Sequence, residues 1–484
     1  MEVEQAILML VSPGVRVAVV GLGVSGVETA RFLLRRGALP VCFERRDRES
    51  FFKLSPFAGA VDELVLSGAE VHFGIEGAAV APFVADVVAV VLSPGVPLEG
   101  STVRFFSERG IPVIGEFELG VELSGVPTTI VTGSNGKSTT VSLIHAAWEE
   151  AGKRARLCGN VGTPVIAGLC DGSVWDLLVG EASSYQLESC SVLRPDVGIF
   201  LNLTENHLER HGTIERYREA KLRLFQRHSS SHVAVLNYDD PFVRGAADQL
   251  SSSLVWFGRT IPAGARGVTI AYDPARGVDE LQYRFSDNEG TLSLRYAPLI
   301  GVHHRYNLAA ALSAFLVKGG PISAFERMVR EFQGLPHRTQ LVGEWSGRVV
   351  INDSKSTTVA ATVAALMSAI SDYPDHSVTL FIGGLVKVGS WDPLFTAIRR
   401  EQAQRPVRVI CFGKDGPLLE EYALRSGLRV GRCATMADAV SSLPQSSSER
   451  EVILFSPGAA SFDEFRDFED RGDTFCSAIR RHFG

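Results

Sequence analysis

A chain of 484 residues exceeds what one hydrophobic core usually supports, so two to four domains are expected. The composition, 45% hydrophobic and 21% charged, is that of an ordinary globular protein, and a net charge of -7 argues against the broad basic face that nucleic-acid binding needs. The acidic start Met1-Glu2-Val3-Glu4 before the short apolar stretch 6–11 does not read as a secretory signal, and no apolar run reaches the roughly 18 residues of a membrane span. Seven scattered cysteines without a C-x-x-C pair suggest neither a disulfide framework nor a thiolate zinc site, so a reducing cytoplasm is expected.

Three segments, each alternating strand and helix, are expected, with boundaries near 126 and 336. The first opens with the apolar run 15–20, suited to a buried parallel strand. The turn Gly21-Leu22-Gly23-Val24-Ser25-Gly26 follows, then a helix presenting Val27, Ala30, Leu33 and Leu34 on one face. A second strand ends at Glu44 and a third, 87–92, ends at Ser93-Pro94-Gly95. A glycine turn that opens a helix, with an acidic residue ending the next strand, nearly meets the dinucleotide fingerprint. The same helix-terminus physics serves the diphosphate of a nucleotide sugar, so both a nicotinamide oxidoreductase and a nucleotide-sugar site stay open here.

In the second segment the strand 129–131 leads into Thr132-Gly133-Ser134-Asn135-Gly136-Lys137-Ser138-Thr139 and then a helix. Glycines let backbone N–H groups turn toward phosphate oxygens, and the helix N-terminus adds partial positive charge. Lys137 can reach the outer phosphates, and the hydroxyl of Ser138 or Thr139 can hold magnesium. Two residues, not four, separate Gly133 from Gly136, so this is a shortened relative of the usual P-loop. Further strands are expected at 177–179 and 197–201. Glu181 ends the first of them, where ligand groups gather in a parallel sheet, and could take a hard cation. His207 follows the second, and Lys221 sits on a helix four residues after Tyr217. On residue chemistry alone Lys221 is a solvated surface lysine.

The third segment has strands expected at 349–351, 379–382, 407–412 and 452–455. Arg338 precedes it at the junction, and Asp353-Ser354-Lys355-Ser356-Thr357 follows its first strand, where Asp353 could cap a helix. Lys387 lies in Gly383-Gly384-Leu385-Val386-Lys387. Ser461 and Phe462 are expected to begin a helix and offer N–H groups, and an amphipathic helix accounts for Phe465 and Phe468.

The phosphate loop resembles that of the Mur ligases and of the related folylpolyglutamate synthases, and the resemblance extends from about residue 15 to 475. It implies three α/β domains: a Rossmann-like UDP-substrate domain (1–126), a central P-loop ATPase-like domain with a parallel sheet (127–336) and a C-terminal Rossmann-like ligase domain (337–484). Gly23, Ser25, Gly26, Glu44, Arg45, Arg46, Gly95 and Asn160 become the candidates for the UDP substrate. Residues 133–139, Asn307, Arg338 and Asp353 become those for ATP. Ser138, Glu181, His207 and a carbamylated Lys221 would serve two magnesium ions, the carbamate coming from carbon dioxide, and Lys137, His207 and Lys221 would be the catalytic groups.

The pattern 461–472 resembles the branch that adds D-glutamate, and the D-N-P-R signature of the diamino-acid branch is absent. The resemblance then implies UDP-N-acetylmuramoyl-L-alanine and D-glutamate as substrates, with Lys355, Thr357, Lys387, Ser461 and Phe462 holding the amino acid. A monomer with no nucleic-acid or membrane partner is expected. Two positions depart from the pattern: Asn206 stands for the usual aspartate before His207, and His304 for the first asparagine of G-x-H-N-x-x-N, whose second is Asn307. A Mur-type ligase for another amino acid, and a nucleotide-binding protein without ligase activity, remain open on these residues.

Overall fold

The computed structural model describes residues 2–484 apart from 171, 205–207, 274–275, 287, 388 and 446–448, and apart from the side chains of Leu208 and Glu209. The chain forms two compact units, one of residues 1–270, 281–292 and 306–328, the other of 271–280, 293–305 and 329–484. Among the described residues no helix is long and apolar enough to cross a membrane.

The first sheet runs β1 (Arg16–Val20), β2 (Leu39–Glu44), β3 (Glu70–Phe73), β4 (Val87–Leu92) and β5 (Val113–Gly115), in spatial order β3-β2-β1-β4-β5, all parallel. Alternate side chains enter different cores. Val17, Val19, Cys42, Ala89 and Val91 join one cluster, and Ala18, Val20, Val41, Phe43, Val90 and Leu92 the other. Burial on both faces explains why these strands read as continuous apolar runs. The order in which strands are added reverses at β1, so a crevice is expected beyond the ends of β1 and β4, where ligands bind in such sheets. Helix α1 (Val24–Arg35) starts there, and α2 (Glu116–Ser124) follows β5.

The second sheet comprises β6 (Thr128–Thr132), β7 (Ala155–Gly159), β8 (Leu177–Glu181), β9 (Val197–Phe200), β10 (Val233–Asn237), β11 (Ser253–Gly258), β12 (Gly267–Asp273), β13 (Val278–Phe285) and β14 (Asn288–Ser293), in order β14-β13-β12-β11-β10-β9-β6-β8-β7. From β12 to β7 every pairing is parallel. Strand β6 lies between β8 and β9, with Val131 opposite both Glu181 and Ile199. Three chain segments therefore leave this edge side by side: the glycine turn into α3 (Lys137–Glu150), Glu181 leading to α4 (Ser184–Glu188), and 201–204 leading toward α5 (Ile214–Leu222). Ser183 and Gln186 form a reciprocal capping box on α4, and Thr213 caps α5, which fixes where Lys221 stands. Asn307 lies on α6 (Val302–Val317).

The third sheet contains β15 (Gln340–Trp345), β16 (Arg348–Asn352), β17 (Ser377–Gly383), β18 (Val407–Phe412), β19 (Gly431–Arg432) and β20 (Glu451–Gly458), in order β15-β16-β20-β17-β18-β19. Only the edge strand β15 runs antiparallel. The α/β class with three largely parallel sheets agrees with the expectation from sequence. Two local expectations are corrected. Asp353 does not cap the next helix, α7 (Val359–Asp372), whose cap is Thr358. Ser461 and Phe462 lie in turns, and the helix begins seven residues after Ser461, as α8 (Phe468–Phe483) capped by Asp467.

Candidate active site

The turn after β6 has the shape its glycines predict. Gly133 has φ 152° and Gly136 φ 85°, and a Cβ on Gly136 would collide with Asn307 Oδ1. The strand-end segment 201–204 braces the turn. Ser134 N donates to Asn202 O (2.9 Å) and Asn135 N to Asn202 Oδ1 (2.8 Å). Thr204 N donates to Ser134 Oγ (2.9 Å). Lys137 folds back, its Nζ donating to the carbonyls of Gly133 (3.0 Å) and Ser134 (3.1 Å). Thr140 Oγ1 donates to Asn307 Oδ1 (3.4 Å), so this distant asparagine does pack against the loop.

Lys221 is 1% exposed and donates from Nζ to Gly133 O (2.8 Å). Its ammonium lies 4.5 Å from the centre of the Tyr217 ring, and Tyr217 lies 3.3 Å from Ser134 Oγ. Burial, reinforced by the charge of Lys137, pushes the Lys221 amine well below its ordinary value, while Glu181 opposes the shift. A reading of Lys221 as solvated surface is thereby excluded. Glu181 is also 1% exposed; Asn160 Nδ2 donates to its Oε1 (2.7 Å), and its Oε2 has no hydrogen-bond partner among the described residues. An orphaned buried carboxylate oxygen is costly alone and suits a cation. Among the described residues no three His, Cys, Asp or Glu gather as a self-sufficient metal cage. That fits magnesium, which usually takes one or two carboxylates and leaves the rest of its sphere to phosphates and water. His207 and Asn206 lie outside the described residues.

At the first sheet, Gly26 is required because a Cβ there would run into Gly21 O, and Ser93 Oγ donates to that same carbonyl (2.8 Å), joining the two loops of the crevice. Gly23 caps α1, and Gly95 has open space around it. Glu44 is occupied by its own neighbourhood, accepting from Leu22 N (3.2 Å), Arg46 N (3.1 Å) and Arg46 Nε (2.9 Å). Arg45 is exposed, 3.7 Å from Glu76. Ser25 is buried and hydrogen-bonds the Glu116 carboxyl.

The second unit holds the remaining candidates. Asp353 accepts from Thr339 N (3.1 Å) and Ser456 Oγ (2.8 Å), and burial lifts it to about 7, against the pull of Arg338 and Arg471. Arg338 sits between two residues in the left-handed region, His337 (φ 63°) and Thr339 (φ 45°), a strain that clusters at ligand sites. The loops after β16, β17 and β20 are stitched together: Asp353 N donates to Phe455 O (2.7 Å), Gly458 N to Ser356 O (3.0 Å), and Leu385 and Ala460 exchange N–H···O bonds of 2.8 and 2.9 Å. These loops carry Lys355, Thr357, Lys387, Ser461 and Phe462. Lys387 is exposed and Phe462 is 71% exposed. Phe468, which periodicity treats as helix core, instead lies under the Lys355 ammonium, 3.8 Å from its ring centre.

Sequence reasoning missed the brace formed by Asn202, although that asparagine ends a strand beside the glycine turn. It also missed a cluster beside α4, where Glu188 pairs with Arg210 (2.7 Å) and His211 (3.1 Å) and His211 meets Ser184 Oγ (2.9 Å).

The Mur ligase middle domain matches residues 131–315, and the MurD-like N-terminal domain of Mur ligases matches 15–115. A UDP-N-acetylmuramoylalanine–D-glutamate ligase of Geobacter metallireducens is 35% identical over 468 residues, 96% of this chain and 97% of its own. The enzyme of that name from Gloeobacter violaceus is 35% identical over 470 residues, covering 96% and 98%. Among solved structures, the Acinetobacter baumannii UDP-N-acetylmuramoylalanyl-D-glutamyl-2,6-diaminopimelate–D-alanyl-D-alanyl ligase superposes with TM-score 0.60 at 16% identity, covering 92% of this chain and 90% of its own. The Thermotoga maritima UDP-N-acetylmuramate-alanine ligase gives 0.54 at 15%, covering 96% and 99%. These two likenesses bear on the fold alone. The chain belongs to the Mur ligase family.

Proposed function

We propose that the protein is an ATP-dependent ligase that joins D-glutamate to UDP-N-acetylmuramoyl-L-alanine, a cytoplasmic step of peptidoglycan precursor synthesis. The observation that carries this reading is the meeting, at one edge of the central sheet, of the glycine turn 133–139, the orphaned Glu181 carboxylate and the buried Lys221 amine. The working division is a UDP-substrate domain over 1–126, an ATP domain over 127–336 and a ligase domain over 337–484.

In this reading the N–H groups of 133–139 and the Lys137 ammonium bind the ATP phosphates, and Lys137 exchanges its two carbonyl partners for phosphate oxygens. The substrate carboxylate attacks the γ-phosphate, ADP leaves, and the acyl phosphate that results is attacked by the amine of D-glutamate. Phosphate departs and one proton is lost from the amine. Catalysis of this kind rests on positioning and on neutralising charge. Magnesium supplies further charge neutralisation at the phosphates, and Ser138, Glu181, His207 and Lys221 are the residues that would hold two ions. Because burial favours the neutral amine, Lys221 can add carbon dioxide and release a proton, giving the carbamate anion that suits a hard cation. Asn307 is a further ATP candidate in the first unit, and Arg338 and Asp353 are the ATP candidates of the second. Gly23, Ser25, Gly26, Glu44, Arg45, Arg46, Gly95 and Asn160 take the nucleotide substrate, Glu44 holding the turn through Leu22 N and Arg46. Lys355, Thr357, Lys387, Ser461 and Phe462 take D-glutamate.

The test is phosphate release from ATP and magnesium with UDP-N-acetylmuramoyl-L-alanine, comparing D-glutamate, L-glutamate, L-lysine and meso-diaminopimelate. Release driven by D-glutamate supports the assignment. Release driven by one of the others moves the chain to another branch of the family, and release with none removes the ligase reading.

A further inference from the structure

Arg471 is 0% exposed, and its guanidinium touches two of the loops that carry the proposed amino-acid residues. Nε donates to Ser354 Oγ (3.1 Å) and Nη2 to Ser354 O (2.8 Å), in the loop after β16. Nη1 donates to Ala459 O (3.0 Å), in the loop after β20. A third loop, after β17, closes over the same group: Gly384, at φ 116°, leaves room where a Cβ would stand 3.2 Å from Nη1. Ser354 in turn donates from Oγ to Phe468 O (2.8 Å), at the start of the helix that carries Arg471. Asp353, Asp463 and Glu464 supply the negative field around this buried cation.

We infer that Arg471 is a positioning residue for the acceptor amino acid, its guanidinium fork holding the loops after β16 and β20 in the register that lets Lys355, Thr357 and Ser461 face one ligand. The inference rests on the amino-acid site proposed above. A paired contact to Ser354 together with a third bond to Ala459 uses three nitrogens of one planar fork; a lysine ammonium has one nitrogen and no such geometry. Arg471 does not touch the reacting atoms in this account. Its effect passes through the loops it ties.

The test is steady-state kinetics of the full chain and of Arg471→Lys and Ser354→Ala, with thermal midpoints recorded for each. Ser354→Ala removes one acceptor and one donor and is the gentler change. The acceptor that wild type uses best in the four-amino-acid panel serves as the probe. Expected is a rise in KM for the amino acid of about tenfold or more in Arg471→Lys, with a smaller rise in Ser354→Ala, while KM for ATP and for the nucleotide substrate stays within about twofold. If Arg471→Lys does not fold, Ser354→Ala alone decides. Unchanged amino-acid KM in the folded variant overturns the inference. So do equal rises in all three KM values, which mark general loosening of the fold. Wild type that turns over no amino acid overturns the ligase reading and this inference with it; active wild type with unaffected variants overturns the inference alone.

Discussion

Lys221 shows how far one side chain's meaning depends on what surrounds it. In sequence it is a helix lysine after a tyrosine; in the structure it is sealed against Tyr217 and the carbonyl of Gly133, with its amine driven toward neutrality by burial. Lys221→Ala is expected to lose most ligase activity, and added bicarbonate should leave that variant unchanged while it sustains wild type depleted of carbon dioxide. Near wild-type turnover by purified Lys221→Ala would sink the carbamate assignment. Lys137 differs, because its ammonium already rests on the carbonyls of the turn it serves. Lys137→Ala should fold with a thermal midpoint close to wild type yet lose about a hundredfold or more in turnover, on the scale of a deleted charge-stabilising donor. A stopped-assay rate within a few-fold of wild type would contradict that role.

At the scale of elements, strands and loops were legible in sequence, and the joins between them were not. The glycine turn, Glu181 at the end of β8 and the β1 and β4 loops were all readable, because a buried parallel strand is a continuous apolar run and its ligand groups sit at its end. The start of α8 was misplaced at Ser461, because Phe465 and Phe468 keep a helical spacing although the cap is Asp467. Glu118 was not readable at all. Its Oε1 accepts from the backbone N–H groups of Ser191, Val192 and Leu193 at 2.6, 2.6 and 2.9 Å, clamping α2 to the segment after α4. Burial raises this carboxyl's pKa, the three N–H groups holding it down. No local pattern announces amides 73 to 75 residues away. Glu118→Ala leaves two buried donors and one half-buried donor without an acceptor and should cost about 2–5 kcal/mol, at roughly 1–3 for each buried orphan. Calorimetry showing an unchanged midpoint would refute the clamp.

For the whole molecule, two buried carboxyls contribute to the pH dependence of stability. Glu116, hydrogen-bonded to Ile166 N (3.1 Å), and Asp353, in the second unit, are each pushed up by burial to about 7, from 4.5 and 3.8. Below those ordinary values folded and unfolded chains both hold the protons, and the contribution to stability is fully present. As pH climbs toward about 7 the unfolded chain releases protons that these two groups keep in the folded chain, so their contribution falls; above about 7 it levels. Buried His228, His303 and His304, held below their ordinary value by burial, act in the opposite direction, so the readout is the difference between variant and wild type: from pH 5 to about pH 7 the urea midpoint of Glu116→Gln should gain on that of wild type, and above that the two should run parallel. A variant with the wild-type slope throughout would remove Glu116 as a contributor.

Under the proposed function, ATP activates the substrate carboxylate as an acyl phosphate at the turn 133–139. The decisive measurement places oxygen-18 at both oxygens of the carboxylate of UDP-N-acetylmuramoyl-L-alanine and reads the released phosphate by mass spectrometry during turnover with D-glutamate. Each phosphate is expected to carry one labelled oxygen from the substrate. Unlabelled phosphate, with amide product still formed, would contradict it.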